Sequence, residues 1–118
     1  QLMCKHSEEG NTDCLGIFNE NVKRFPSAKE KVPHMGWNNC SELKGPLFKE
    51  VSINDDFYFV HSYYVEAGEP SLVAAFSVYG FPFTCAVAKD NIFAVQFHPE
   101  KSAQSGLALL GNFMRWKP

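Results

Sequence analysis

The sequence predicts an α/β fold, a mixed sheet with flanking helices, and three observations carry that expectation. Residues 57–65, 72–79, 83–88 and 92–97 read as successive strands separated by turn signals. Residues 102–116 then change period: Ala103, Leu107, Leu110 and Met114 fall at i, i+4, i+7 and i+11, the single stripe of a packed helix. Between them stands His98-Pro99-Glu100, at the strand end where α/β proteins place their sites.

Taken in order, residues 1–5 carry no N-cap before them and read as the tail of a helix, stopped by Gly10 and Asn11. Residues 15–18 and 21–25 look like short strands around Asn19-Glu20, and 27–31 is a polar loop. Residues 32–38, Val-Pro-His-Met-Gly-Trp-Asn, mix Pro and Gly with a large aromatic and predict an irregular, shaped surface. Residues 45–51 suggest a helical turn. In 57–65, Phe57, Phe59, His61, Tyr63 and Val65 share one face, and Tyr58, Val60, Ser62 and Tyr64 the other. Both faces are largely apolar, so the strand should be covered on both sides. Gly80-Phe81-Pro82 and Lys89-Asp90-Asn91 are turns. The nearly all-apolar run 92–97 predicts a central strand. Ser102 opens the helix, and Arg115 and Lys117 suit its C-terminal dipole.

Composition narrows the function classes. The chain has 118 residues, one domain by size, with 45% hydrophobic and 20% charged residues, enough for a core and unlike a disordered tail. Lys plus Arg number 11 against 13 Asp plus Glu, and no basic stripe exists to track phosphates, which argues against nucleic acid. No apolar run approaches the length of about 20 residues that spans a bilayer, and no secretory leader is visible. Cys4, Cys14, Cys40 and Cys85 contain no CxxC pair for zinc. A chain this long and apolar does not need disulfide staples, so they read as reduced thiols of a cytoplasmic protein.

In His98-Pro99-Glu100 the two side chains can project to the same side across the proline. The carboxylate then accepts one ring N–H, fixes the tautomer and leaves the other nitrogen free as a base. That is the histidine–orienter half of a nucleophile–histidine–acid triad, although a tripeptide alone is also compatible with a surface turn. His61 reads as a core histidine bonded to a carbonyl, His34 as an interface or structural residue, and His6 as solvated. No HxxxH or HExxH pattern links them, so a metal site is not expected.

With its surroundings the tripeptide becomes selective. Ala94-Val95-Gln96-Phe97-His98-Pro99-Glu100-Lys101-Ser102, followed by Gly106 and by Leu109, Leu110, Asn112 and Phe113, resembles the C-terminal end of the class I (triad) glutamine amidotransferases, a flavodoxin-like fold. Within that superfamily, residues 32–38 and Phe59-Val60-His61-Ser62-Tyr63-Tyr64 are similar to one branch, the glutaminase subunits of imidazole glycerol phosphate synthases of histidine biosynthesis. The resemblance spans the whole chain. It implies that His98 and Glu100 are catalytic, and that Gln1, Ser62 and Tyr63 grip glutamine, the last two through backbone groups. It places His34, Met35, Trp37, Asn38, Tyr58, His61 and Lys101 toward a cyclase partner, a (β/α)8 barrel forming a heterodimer that receives the ammonia. No metal or organic cofactor is implied.

Gln1-Leu2-Met3 matches the residues just after the family's nucleophile, in a Gly-x-Cys-Leu-Gly-Met-Gln-Leu stretch. The nucleophilic cysteine would then lie four positions before Gln1, and the expectation is an incomplete domain, inactive alone, lacking its N-terminal half. Two other readings remain at this stage: an amidotransferase of another pathway, such as anthranilate or GMP synthesis, and a non-catalytic module with this fold. On Trp37 the sequence leaves two roles open, an exposed anchor or a core plug.

Overall fold

A computed structural model describes residues 1–26 and 30–118. The fold is α/β: a mixed sheet, a two-stranded ribbon and one C-terminal α-helix. The nine strands are β1 (His6–Ser7), β2 (Thr12–Asp13), β3 (Asn21–Arg24), β4 (His34–Asn39), β5 (Asp56–His61), β6 (Tyr63–Glu66), β7 (Val73–Val78), β8 (Pro82–Lys89) and β9 (Ile92–Val95). The main sheet runs β2-β1-β3-β6-β8-β7, with β9 also on β8. Among the described residues only β1 and β3 are parallel. β4 pairs with β5 alone, antiparallel, from His34 opposite His61 to Asn39 opposite Asp56.

Several expectations change. Residues 1–5 are not a helix. Cys4 N–H closes a turn on Gln1 C=O (3.0 Å), and the carbonyls of Leu2, Met3, Cys4 and Lys5 all accept from residues 14–18. Those pairings take the groups a helix would use, and they hold 15–18 as an irregular clasp instead of a strand. The predicted loop at 27–31 lies partly outside the described residues, since Ser27, Ala28 and Lys29 are not among them.

Residues 34–39, expected to be irregular, form β4. Gly36 takes φ 130 within the strand, so the glycine that argued against regular structure lets the ribbon twist without leaving the ladder. The run 57–65 divides at Ser62 into β5 and β6, which belong to different sheets. β5 is covered on one side only: Phe57, Phe59 and His61 are buried, whereas Tyr58 and Val60 are half-buried.

β9 ends at Val95, and among the described residues it pairs with β8 alone, so it is not central. Its other side faces an apolar cleft of about 350 Å³, lined by Gln1, Met3, Cys4 and Phe18 across from Ala94, Val95 and Gln96.

The core is rich in phenylalanine. Phe57, Phe59 and Phe97 pack together with ring centroids 4.3 Å (Phe57–Phe97) and 5.7 Å (Phe59–Phe97) apart. Phe25 meets His61, Tyr64 and Phe83 at 5.0–5.3 Å. The helix α1 (Ala103–Arg115) packs on this core, but not by the stripe its apolar period suggests. Ser102, Gly106, Leu109 and Asn112 are buried; Ala103, Leu107, Leu110 and Met114 are exposed, Met114 by 82%.

Two details, one polar and one steric, turn the helix this way. Asn112 Nδ2 donates to the carbonyls of Leu47 (2.9 Å) and Lys49 (2.8 Å). Gly106 lies so close to Pro99 that a Cβ would collide with the Pro99 carbonyl oxygen.

Gly106→Ala therefore reverses the usual preference for Ala in a helix. It should destabilise the chain by about 1–3 kcal/mol through overpacking, while Leu107→Ala should change stability by less than about 0.5 kcal/mol. Urea unfolding of the two variants measures both. A stabilised Gly106→Ala chain would mean that α1 does not pack through this face.

Candidate active site

β9 and the buried Phe97 bring the chain to the sheet rim, where His98 stands in extended backbone (φ −99, ψ 99) ahead of the short 3₁₀ turn Pro99–Lys101. His98 Nδ1 and Glu100 Oε1 are 2.7 Å apart, and both side chains reach solvent. The Glu100 backbone N–H, and then the His98 ring, hold the Glu100 carboxyl below its usual pKa. An ionised carboxylate can only accept, so Nδ1 carries the proton and donates it to Glu100. Nε2 is left with a lone pair for proton transfer, and among the described residues no hydrogen bond engages it.

The backbone of His98 is tied down on both sides. Its N–H donates to Tyr58 C=O (2.9 Å). Its C=O accepts from Ser102 Oγ (2.6 Å), and that same Oγ accepts the Tyr58 N–H (2.9 Å).

Gln1 lies beside this pair. Its side-chain amide donates to Tyr63 C=O (2.7 Å) and to Gln96 Oε1 (2.6 Å), two residues before His98. Ser62 sits at the β5–β6 junction, with its carbonyl accepting Phe25 N–H (3.0 Å). Gln1, Tyr63 and Gln96 thus form one hydrogen-bonded group, and the chain runs from it through Phe97 to the His98–Glu100 pair.

The ribbon sorts the remaining candidates by alternation. Met35 and Trp37 face solvent at 62% and 54% exposure. Opposite them in register lie Val60 and Tyr58, and Trp37 meets Tyr58 edge to face at 5.8 Å. Trp37 is therefore not a core plug. Lys101 is exposed in the turn after His98.

His34 and His61, which the resemblance placed toward a partner, point the other way and are 4% and 8% exposed; His61 is the carbonyl-bonded core histidine that its own position predicted. In an antiparallel pair, residues facing each other share a side, so Met35 and Trp37 can face outward only if His34 faces inward. Asn38, on that inner side, is half-buried and donates to Val78 C=O (2.7 Å).

The two histidines bond to each other, His34 Nδ1 to His61 Nε2 at 2.9 Å. His61 Nδ1 donates to Tyr63 C=O (2.7 Å), which can only accept. Nε2 of His61 is therefore the acceptor, His34 donates through Nδ1, and His34 Nε2 accepts from Asn38 Nδ2 (3.3 Å). Burial lowers both pKa values to about 4. Each ring's neighbour reinforces the shift, His61 for His34 and His98 for His61, while the Tyr63 carbonyl opposes it at His61.

All four cysteines are free thiols; Cys4, Cys40 and Cys85 are buried and Cys14 is half-buried. Burial pushes the Cys4 and Cys85 thiols up in pKa, and the bond between Cys85 and Cys40 Sγ (3.4 Å) adds to the shift at Cys85. A nucleophilic thiolate needs the opposite environment. None of the four is hydrogen-bonded to His98 among the described residues, and no group of three or more His, Cys, Asp or Glu there could hold a metal ion.

Two contributors escaped the sequence reading. Gln96 looked like one more residue of a buried strand, and Ser102 looked like an ordinary helix N-cap. No local signal distinguishes either.

The chain matches the family model for glutamine amidotransferase class-I over residues 1–116. It is 56% identical to the imidazole glycerol phosphate synthase subunit HisH of Thiobacillus denitrificans, covering 100% of this chain and 56% of that protein. The subunit of the same name from Dechloromonas aromatica is 52% identical, covering 100% of this chain and 59% of the relative. That from Bacteroides fragilis is 55% identical, covering 97% and 58%. The chain thus spans somewhat more than half the length of these relatives.

The histidine pair makes stability depend on pH. The folded values lie near 4 against an ordinary 6.5, so between these limits the unfolded chain binds more protons. Stability should therefore fall as pH drops from about 6.5 toward 4, on the order of 1 kcal/mol per pH unit for each histidine. His61→Gln should shed about half of that slope in urea titrations between pH 6.5 and 5. Equal slopes in the two proteins would show that the pair is not held neutral.

Proposed function

Because this chain belongs to the class-I glutamine amidotransferase family, we propose that His98 and Glu100 are the base–acid and the orienting carboxylate of a glutaminase centre. The observation that carries this reading is the 2.7 Å contact between His98 Nδ1 and Glu100 Oε1 at the sheet rim beside Gln1. A carboxylate on Nδ1 turns Nε2 toward the reacting atoms and stabilises the imidazolium that forms there.

We take the nucleophile to be a cysteine thiolate other than these four, as the family resemblance implies; burial raises the Cys4 and Cys85 thiols, the reverse of what a nucleophile needs. It attacks the side-chain amide carbon of glutamine. His98 Nε2 takes the thiol proton as the sulfur attacks, gives it to the ammonia that leaves as the C–N bond breaks, then takes a proton from the water that opens the thioester and returns it to the departing sulfur, releasing glutamate. Gln1 and the backbone of Ser62 and Tyr63 hold the substrate. Their placement along one rim with His98 supports this role.

We further propose that the whole protein is the glutaminase subunit of an imidazole glycerol phosphate synthase, working in the cytoplasm. Its relatives of 52–56% identity carry that subunit name. The ammonia passes to a cyclase partner, a (β/α)8 barrel in a heterodimer, which makes imidazole glycerol phosphate and an aminoimidazole carboxamide ribonucleotide. The exposed apolar face of Met35, Trp37 and Tyr58, with Lys101 beyond it, supports docking there. His34 and His61 lie behind that face and act as its support.

In the intact enzyme His98→Ala should reduce glutamine-driven turnover by a factor of about 10³ or more, with ammonium-driven synthesis unchanged. Loss of both activities in a folded, assembled complex would overturn the assignment of His98 to the ammonia-generating half. Trp37→Ala should weaken partner binding by about 2 kcal/mol or more with little change in melting temperature, because half of the side chain is already in solvent. Calorimetric titration against the partner and a thermal melt separate the two effects.

A further inference from the structure

We propose that Ser102 is a positioning residue for His98: its hydroxyl fastens the His98 backbone to Tyr58 of β5 and so sets where the imidazole stands over a bound glutamine amide. The inference rests on the glutaminase reading of His98.

Ser102 occupies the N-cap of α1, where a serine hydroxyl ordinarily accepts a hydrogen bond from the first turn. Here it makes no cap bond at all. The hydroxyl instead donates to His98 C=O at 2.6 Å and accepts the Tyr58 N–H at 2.9 Å, with the residue only 1% exposed. The His98 N–H to Tyr58 C=O bond, also 2.9 Å, closes the ring. Three hydrogen bonds thus lock two residues 40 positions apart, and both backbone polar groups of His98 are used in doing so.

The local backbone shows what is given up for this. Ala103, directly after the serine, is held at φ 49, in the left-handed region that a side chain disfavours. A serine that capped the helix, followed by an alanine in ordinary helical backbone, would serve α1 better. It would leave the His98 carbonyl tied only within its own turn, to Lys101 N–H (3.0 Å), and its link to β5 reduced to the one bond with Tyr58 C=O. Strain of this kind persists where the surrounding contacts over-determine it, and it concentrates at functional sites.

Glu100 sets the tautomer and rotation of the ring; Ser102 sets the position of the backbone that carries it. Substrate grip belongs to other residues, so the effect of loosening the backbone falls on the chemical step.

The test uses the intact enzyme with its cyclase partner. Ser102→Ala should lower glutamine-driven kcat by about 10- to 100-fold, leave KM for glutamine within about twofold, and leave ammonium-driven synthesis unchanged. Ser102→Cys, close in size with a weak donor, should fall between the two. It also supplies the measurement if the alanine variant does not fold.

Wild-type glutamine kcat in an assembled Ser102→Ala complex would overturn the inference. So would parallel loss of glutamine- and ammonium-driven rates, tracking melting temperature in both variants, since a purely structural role predicts that. His98→Ala is the control: if it retains glutaminase activity, the functional reading itself has failed. If it is inactive while both Ser102 variants behave as wild type, only the positioning role has.

Discussion

Strand β5 is the constraint on which the other parts depend. One of its edges pairs with β4, and the alternation of that ladder sends Phe57, Phe59 and His61 inward and leaves Tyr58 and Val60 half-exposed. Its other edge receives the His98 segment through both backbone groups of Tyr58. The strand therefore fixes an outward apolar face and an inward core at once, and it carries the His98–Glu100 pair at its flank. Displacing β5 by one residue would reverse its faces and detach His98 in the same movement.

Behind that face the polar groups form a chain with a single sense. Tyr63 C=O can only accept, so the proton on His61 is at Nδ1, the proton on His34 is at Nδ1, and Asn38 must donate at the far end. The aromatic rings around the pair keep it dry: His34 is stacked between Phe59 at 4.9 Å and Tyr79 at 4.1 Å. Two neutral imidazoles in such a place do the work of an apolar core while satisfying their own nitrogens. The same Tyr63 carbonyl also receives Gln1, so the interior of the ribbon and the rim beside His98 share one acceptor.

What the sequence made legible were elements whose chemistry is local. β7, β8, the turn at Lys89-Asp90-Asn91 and α1 followed from alternation, turn residues and helical period. The His98–Glu100 contact followed from two residues flanking a proline. The failures share a cause in tertiary pairing. Residues 1–5 lost their helix to hydrogen bonds with 14–18, and residues 34–39 became a strand because β5 offered a complementary edge. The buried side of α1 was chosen by Gly106 and Asn112, a missing side chain and a polar one, which an apolar count scores as gaps. His34 and His61 were assigned to a partner face by resemblance, but in a strand the neighbour of an outward residue must turn in.

The contacts that assemble the rim join distant parts of the chain: Gln1 reaches Tyr63 across 62 positions and Gln96 across 95, and Tyr58 reaches Ser102 across 44. Local hairpins such as β8–β9 can close early, because little chain entropy stands in their way. The rim cannot form until the ribbon, the β8–β9 hairpin and the first turn have all docked. Its closure needs more distant pairings than a hairpin does, so it should follow the hairpins in folding. In a chain organised this way, an intact rim reports completed folding more sharply than helix or strand content does.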